Sequence, residues 1–195
     1  MTTSIPFDAL ILAGASSERL DGADKALVRI GDSTLLERSV RAVAHAEKVI
    51  VVGPRRAVDL DVTWCDEERP GGPVAAIASG LALVTAPTVV VLAVDHPSVD
   101  PQLIADLVQT VDDIDGAAVG VDGRPIFLVG AYRTASLSRR IGSMPEVDGA
   151  PVRAMMQGLD LALLDAPEAA RDCDTWDDMR DADARFRAGG NARVR

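Results

Sequence analysis

Residues 7–25 read Phe7-Asp8-Ala9-Leu10-Ile11-Leu12-Ala13-Gly14-Ala15-Ser16-Ser17-Glu18-Arg19-Leu20-Asp21-Gly22-Ala23-Asp24-Lys25. The apolar run from Phe7 to Ala13 ends in Gly14 and gives way to a polar, glycine-containing segment, Ala15 to Asp24. That order predicts a buried strand feeding a loop. A strand that is apolar through most of its length suits a parallel sheet covered on both faces by helices.

Working outward, Ser33 or Thr34 caps a helix carrying Leu36, Val40 and Val43 at helical spacing. Lys48 to Val52 is a β-branched strand stopped by Gly53-Pro54, and Val62 to Cys65 is a second extended piece. Pro70-Gly71-Gly72-Pro73 turns into an alanine-rich helix, Val74 to Val84. Thr88 to Val94 is the most apolar strand; it stops at Asp95-His96-Pro97, and Pro101 opens a helix to about Val111. Ala117 to Val121 and Ile126 to Tyr132 flank an Asp122-Gly123-Arg124-Pro125 turn, a hairpin or a bulged connection. Helices over Ala135 to Ile141 and Val152 to Leu159, a strand over Leu161 to Leu164, and a charged helix from Thr175 to about Arg187, capped by Asp174 or Thr175, complete the pattern. Strands alternating with helices predict a three-layer α/β/α fold around a mostly parallel, doubly wound sheet. One domain over residues 1–188 and a disordered tail over 189–195 are expected.

Composition narrows the function. A formal net charge of −10 argues against a broad surface for nucleic acid or anionic membrane, which requires clustered Lys and Arg. No apolar run approaches the roughly 20 residues that cross a bilayer. The polar start Met1-Thr2-Thr3-Ser4 lacks a signal-peptide pattern, so a cytoplasmic protein is expected. Two cysteines, Cys65 and Cys173, and two histidines, His45 and His96, lie without metal-ligand spacing. Zinc chemistry and thiol or hydroxyl triads therefore start from a weak position.

In doubly wound sheets, ligands bind at the carboxyl ends of the strands, where strand order reverses. Three segments occupy that edge: Gly14 to Lys25, Asp66 to Pro73, and Asp95 to Pro97. The first satisfies neither the Walker spacing nor the dinucleotide glycine fingerprint. It does offer backbone amides, two hydroxyls and two cations, Arg19 and Lys25, suited to a polyphosphate, though a solvated surface loop would read the same way.

The segment Leu12-Ala13-Gly14-Ala15-Ser16-Ser17-Glu18-Arg19-Leu20-Asp21-Gly22-Ala23-Asp24-Lys25-Ala26-Leu27 resembles the signature of the nucleotide-diphospho-sugar transferase superfamily, in particular the molybdopterin guanylyltransferase family. The resemblance continues at Asp66 ahead of Pro70-Gly71-Gly72-Pro73-Val74-Ala75-Ala76-Ile77 and at Val94-Asp95-His96-Pro97. It ends with Asp172-Cys173-Asp174-Thr175-Trp176-Asp177-Asp178-Met179, so that four blocks stand in the family's order. The chain departs from the pattern at Ala15 and Asp21, where the family has glycine, and at Val94, where it has cysteine.

The resemblance implies a Rossmann-like nucleotidyltransferase fold of the GT-A type and transfer of GMP from GTP to molybdopterin, with magnesium as cofactor. It implies Asp95 as the metal ligand, Lys25 and Arg19 as the groups that bind and neutralise the triphosphate, and backbone contacts to the nucleotide from Leu12, Ala13 and Gly14. Asp66 is either the acceptor for the guanine N–H groups or a member of a solvated acidic run. Asp24 is expected to orient Lys25 through an ion pair, His96 to be a bystander, and the Asp174 to Asp178 run to cap the last helix. Arg139 and Arg140 are candidates for the acceptor's phosphate. A molybdoenzyme or chaperone partner and a monomer or weak homo-oligomer complete the expectation. The rival readings are a cytidylyl- or other nucleotidyltransferase, and a nucleotide-binding protein that has lost turnover.

Overall fold

The apolar run near the start forms strand β1 (Phe7–Leu12). The protein is seen here as a computed structural model that describes residues 5–14, 20–66 and 71–191. Alternate β1 side chains enter different cores: Ala9 and Ile11 one, Leu10 the other. The chain continues through a small antiparallel hairpin, β2 (Arg29–Ile30) and β3 (Ser33–Thr34), into α1 (Leu35–Ala42). Of the two candidate caps it is Thr34 that acts, in a capping box: its hydroxyl accepts from the Glu37 N–H while the Glu37 carboxylate accepts from the Thr34 N–H.

Then come β4 (Val49–Val52), β5 (Thr63–Cys65), α2 (Gly72–Leu81), β6 (Thr88–Ala93), α3 (Pro101–Thr110), β7 (Gly116–Val121), β8 (Arg124–Arg133), α4 (Thr134–Gly142), α5 (Val152–Met156), β9 (Leu161–Asp165) and α6 (Trp176–Asn191). α5 stops short of the expected Leu159, with Gln157 already extended and Gly158 at φ +85°. α6 runs through Asn191, where a tail from Gly189 was expected; residues 192–195 lie outside the described residues.

Among the described residues, seven strands form one sheet in the order β5-β4-β1-β6-β8-β7-β9. β8 alone runs against the others, pairing antiparallel with β6 and β7; the remaining pairs are parallel. The β7–β8 connection is a two-residue turn with both centres at positive φ, Asp122 at 50° and Gly123 at 73°, the conformation that matches the twist of a tight hairpin. A bulge at Ala118/Val119 follows, so the hairpin and the irregularity are both present. Helices α1, α3 and α6 cover one face and α2, α4 and α5 the other, giving the expected three-layer, mostly parallel α/β fold. β6, apolar from Val89 to Ala93, is buried at every position because it has a layer on each side.

Two features set the edge that matters. The chain winds outward from β1 to β4 and β5, then returns to place β6 on the other side of β1, so strand order reverses between β1 and β6. The register aligns Leu12 with Val52 and Ala93, and Val52 with Cys65. The segments after β1, β4, β5 and β6 therefore leave the sheet along one line.

Candidate active site

At the reversal, β1 runs out through Ala13 and Gly14. Residues 15–19 lie outside the described residues, and Arg19 with them. The chain is re-anchored at Leu20, fully buried, and turns through Asp21 (φ 53°) and Gly22 (φ 78°). Asp21 thus occupies a left-handed position where the family pattern has glycine, and its carboxylate accepts from the Trp176 indole N–H at 3.1 Å. Asp24 then caps a 3-10 turn, Lys25–Leu27, accepting from the Ala26 N–H at 3.2 Å.

That turn directs Lys25 inward, leaving it 4% exposed. Its ammonium donates to Asp95 at 3.0 Å and to Asp174 at 2.5 Å. Burial pulls the Lys25 pKa down, but the Asp95 charge and the hydrogen bonds to both carboxylates outweigh it, and the pKa stands above the usual lysine value. Asp95 is positioned by β6, whose continuation ties to β1 through Val94 N–H to Leu12 C=O at 3.1 Å. Asp174 arrives from the far end of the chain. The Cys173 N–H donates to the Asp95 carbonyl at 3.0 Å, and Thr175 with Asp178 forms a reciprocal cap at the start of α6. Hydrogen bonds from Thr175 hold the Asp178 carboxyl below its ordinary pKa. The terminal run therefore does two things: Asp178 caps, as expected, and Asp174 joins the site.

Asp24 does not pair with Lys25. Its carboxylate takes a bidentate bridge from Arg56, with Nε at 2.6 Å and Nη2 at 2.9 Å; it supports Lys25 only through the backbone of the turn. The reason is geometric: the loop after β4 lies beside the loop after β1, and the register brings Gly53 against Ala13 and Gly14. A Cβ on Gly53 would sit 2.7 Å from the Gly14 nitrogen, so only glycine permits that approach. Nothing in the local sequence around Asp24 marks this pairing, because Arg56 is 32 residues away.

Beside Lys25 and Asp95 opens a cleft of about 220 Å³, mostly apolar, walled by Leu12, Gly14, Pro73, Ala76 and Leu128. Leu12 and Gly14, two of the three residues expected to contact the nucleotide, line it. Ala13 is buried instead, its N–H donating to the Val52 carbonyl and its carbonyl accepting from Arg56. Asp66 is exposed at the end of β5, separated from β1 by β4 and outside the cleft lining. His96 is buried, with Nδ1 3.1 Å from the Ala169 carbonyl, a structural position that agrees with a bystander. Arg140 donates to the carbonyls of Gln157 and Ala154, closing the end of α5, so its guanidinium is engaged in structure. Cys173 is buried, and burial chiefly, with the Asp178 charge, pushes its thiol up to about 11, the behaviour of an inert thiol.

Among the described residues, no three His, Cys, Asp or Glu side chains gather as a metal-holding group. A magnesium ion that also takes phosphates and water asks for only one or two carboxylates. Asp95 suits that role: its Oδ1 is buried without a hydrogen-bond partner, the His96 Nε2 standing too far off at 3.7 Å. Lys25, Asp95 and Asp174 together carry one negative charge in excess, so a polyphosphate entering here needs further positive charge. The donor set fits a hard divalent cation.

Residues 9–165 match the family described as the MobA-like NTP transferase domain. The chain belongs to this family. A molybdenum cofactor guanylyltransferase of Pseudomonas putida (strain GB-1) is 30% identical over 165 residues, covering 79% of this chain and 86% of the relative. A probable molybdenum cofactor guanylyltransferase of Mycolicibacterium paratuberculosis is 32% identical over 179 residues, covering 87% and 90%. Among solved structures, molybdopterin-guanine dinucleotide biosynthesis protein A of Archaeoglobus fulgidus superposes with a TM-score of 0.75 at 16% identity, over 93% of this chain and 99% of that one. The 2-C-methyl-D-erythritol 4-phosphate cytidylyltransferase of Thermus thermophilus gives 0.68 at 20% identity, over 91% and 98%. At those identities the structural likeness speaks for the fold. This MobA-like chain is a nucleotidyltransferase. No helix among its described residues is long and apolar enough to cross a membrane.

Proposed function

We propose that this MobA-like protein transfers GMP from GTP to the phosphate of molybdopterin, releasing pyrophosphate, with magnesium as the cofactor held at Asp95. The single observation that carries the proposal is the Lys25 ammonium set between Asp95 and Asp174 on the floor of a cleft at the strand-order reversal. In this reaction an oxygen of the acceptor's phosphate bonds to the α-phosphorus of GTP. The bond from that phosphorus to its bridging oxygen breaks, and pyrophosphate leaves with the electron pair. The acceptor phosphate is already ionised at neutral pH, so no general base is required, consistent with His96 facing a carbonyl.

What the chain supplies is placement and charge. Lys25, kept protonated by its two carboxylates, stabilises the departing pyrophosphate. Leu12 and Gly14 hold the nucleotide along the cleft wall, and Arg19 adds a second cation from the loop after β1. Asp66 lies outside the cleft lining, and its carboxylate would meet guanine's N–H groups where the base extends along the sheet edge past β4. Bound magnesium neutralises phosphate oxygens, the role that an excess of carboxylate over ammonium leaves open. The relatives named molybdenum cofactor guanylyltransferase support the choice of nucleotide and acceptor.

The test is pyrophosphate release from GTP, CTP, ATP and UTP with magnesium and molybdopterin, run beside Asp95→Ala and Lys25→Ala. Release from GTP alone, lost in both variants, is the expected result. Release from CTP alone replaces guanylyl with cytidylyl transfer, and tight GTP binding with no release from any nucleotide overturns the catalytic reading.

A further inference from the structure

Arg56, in the loop after β4, has no part in the signature blocks, yet its side chain is only 6% exposed and its guanidinium is almost fully engaged. Nε and Nη2 grip both oxygens of Asp24; Nη2 also donates to the Ala13 carbonyl at 2.8 Å, and Nη1 to the Pro54 carbonyl at 3.0 Å. The bond to Pro54 fixes the guanidinium within its own loop, and the other three join that loop to two points on the loop after β1. One of those points is the residue before Gly14, which lines the cleft; the other is the residue before Lys25.

We propose that Arg56 is a positioning residue for Lys25, an inference that rests on the nucleotidyltransferase reading above. Asp24 stands next to Lys25 in sequence and its carboxylate caps the turn from which Lys25 projects. The Arg56 fork, taking both oxygens, fixes the Asp24 Oδ1 for the Ala26 N–H and so fixes the turn from which Lys25 projects. Lys25 is then left to Asp95 and Asp174, aimed into the cleft. A lysine at position 56 keeps the charge and loses the planar fork, so it cannot grip Asp24 at both oxygens while also reaching Ala13. Without the fork, the turn that carries Lys25 loses its fixed cap and the Ala13–Gly14 peptide loses an anchor beside the cleft.

The experiment compares wild type with Arg56→Lys and Asp24→Asn, the latter keeping an oxygen for the cap while weakening the bridge. Thermal unfolding first checks that each variant folds. Two readouts follow: kcat and KM for GTP in the pyrophosphate assay, and the rate at which an acylating reagent modifies Lys25, read by peptide mass. The expected result for Arg56→Lys is a kcat lower by about 100-fold, the scale of a misplaced catalytic group, with a KM shift of less than about tenfold. Lys25 acylation should rise in both variants as its enclosure loosens. Wild-type kcat together with wild-type acylation in Arg56→Lys overturns the inference, as does a KM rise with kcat unchanged. If Arg56→Lys does not fold, unchanged acylation in Asp24→Asn overturns it alone. If the wild type releases no pyrophosphate, the proposed reaction fails, and the acylation rates still decide whether Arg56 positions Lys25.

Discussion

Replacing Lys25 with Met removes the ammonium between Asp95 and Asp174 while keeping most of the side-chain volume. Breaking a buried pair from one side costs about 3–5 kcal/mol, whereas an exposed pair is worth about 0–1 kcal/mol. Lys25 is 4% exposed, but the side chains of Asp95 and Asp174 are 24% and 40% exposed, so water relieves part of the uncompensated charge. The loss should fall between the two limits, about 2 kcal/mol, which for a chain of 195 residues is a Tm lower by about 4–8 °C. Because the Lys25 pKa is raised in the folded protein, its contribution is fully present below the unfolded lysine value of about 10.4 and is lost as pH rises through the higher folded value. Calorimetry of both proteins from neutral pH upward should therefore show a constant gap that narrows only above about pH 10.4. A gap below about 1 °C at neutral pH, or one that persists undiminished at strongly alkaline pH, would refute the view that the two carboxylates hold Lys25.

Gly53→Ala should weaken GTP binding by at least about tenfold, since the new Cβ meets the Gly14 nitrogen at 2.7 Å and the backbone lining the cleft must shift; calorimetric titration with wild-type affinity would count against the close approach. In a Trp64→Phe background Trp176 is the sole tryptophan, hydrogen-bonded to Asp21, and its emission should change when GTP and magnesium are added; a flat titration under saturating nucleotide would show that the Asp21 turn stays still. A thiol reagent at about pH 8 should label Cys65 and leave Cys173 unmodified in the folded protein, because Cys173 is buried with its thiol pushed up to about 11. Rapid labelling of both would mean that the segment before α6 opens. Thr175→Ala should lower stability by about 1 kcal/mol, the usual loss of a helix cap, measured by denaturant unfolding.

The elements that could be read in the chain are those whose cause is local. β6 declares itself because a strand between two layers has no polar face, and α2 because a Gly-Gly-Pro turn is followed by an alanine-rich run with proline in its first turn. The Asp122-Gly123 pair marked a turn, although its consequence, a strand reversed within a parallel sheet, depends on where β6 lies. In the site, Lys25 in the segment after β1 and Asp95 after β6 were visible as charged residues beyond the strand ends, and the structure joins them. The partners of Lys25 and Asp24 were not visible. Sequence adjacency suggested that the two pair with each other, yet loops converging from β4 and from the start of α6 supply better-placed groups, Arg56 and Asp174. Side-chain pairing across 32 and 149 residues is decided by how the loops meet at one edge, information that no local pattern contains.

The separations within the Lys25 cluster also impose an order in time. Asp95 lies 70 residues from Lys25 and Asp174 lies 149, while β9 completes the sheet at Asp165. The pair with Asp174 closes the longest loop of the cluster, and contacts so far apart in sequence form among the slower steps of folding. The Lys25 cluster is complete only when Cys173 ties onto the Asp95 carbonyl and brings Asp174 in, so a chain cut after β9 would keep its strands and leave Lys25 with one of its two carboxylates.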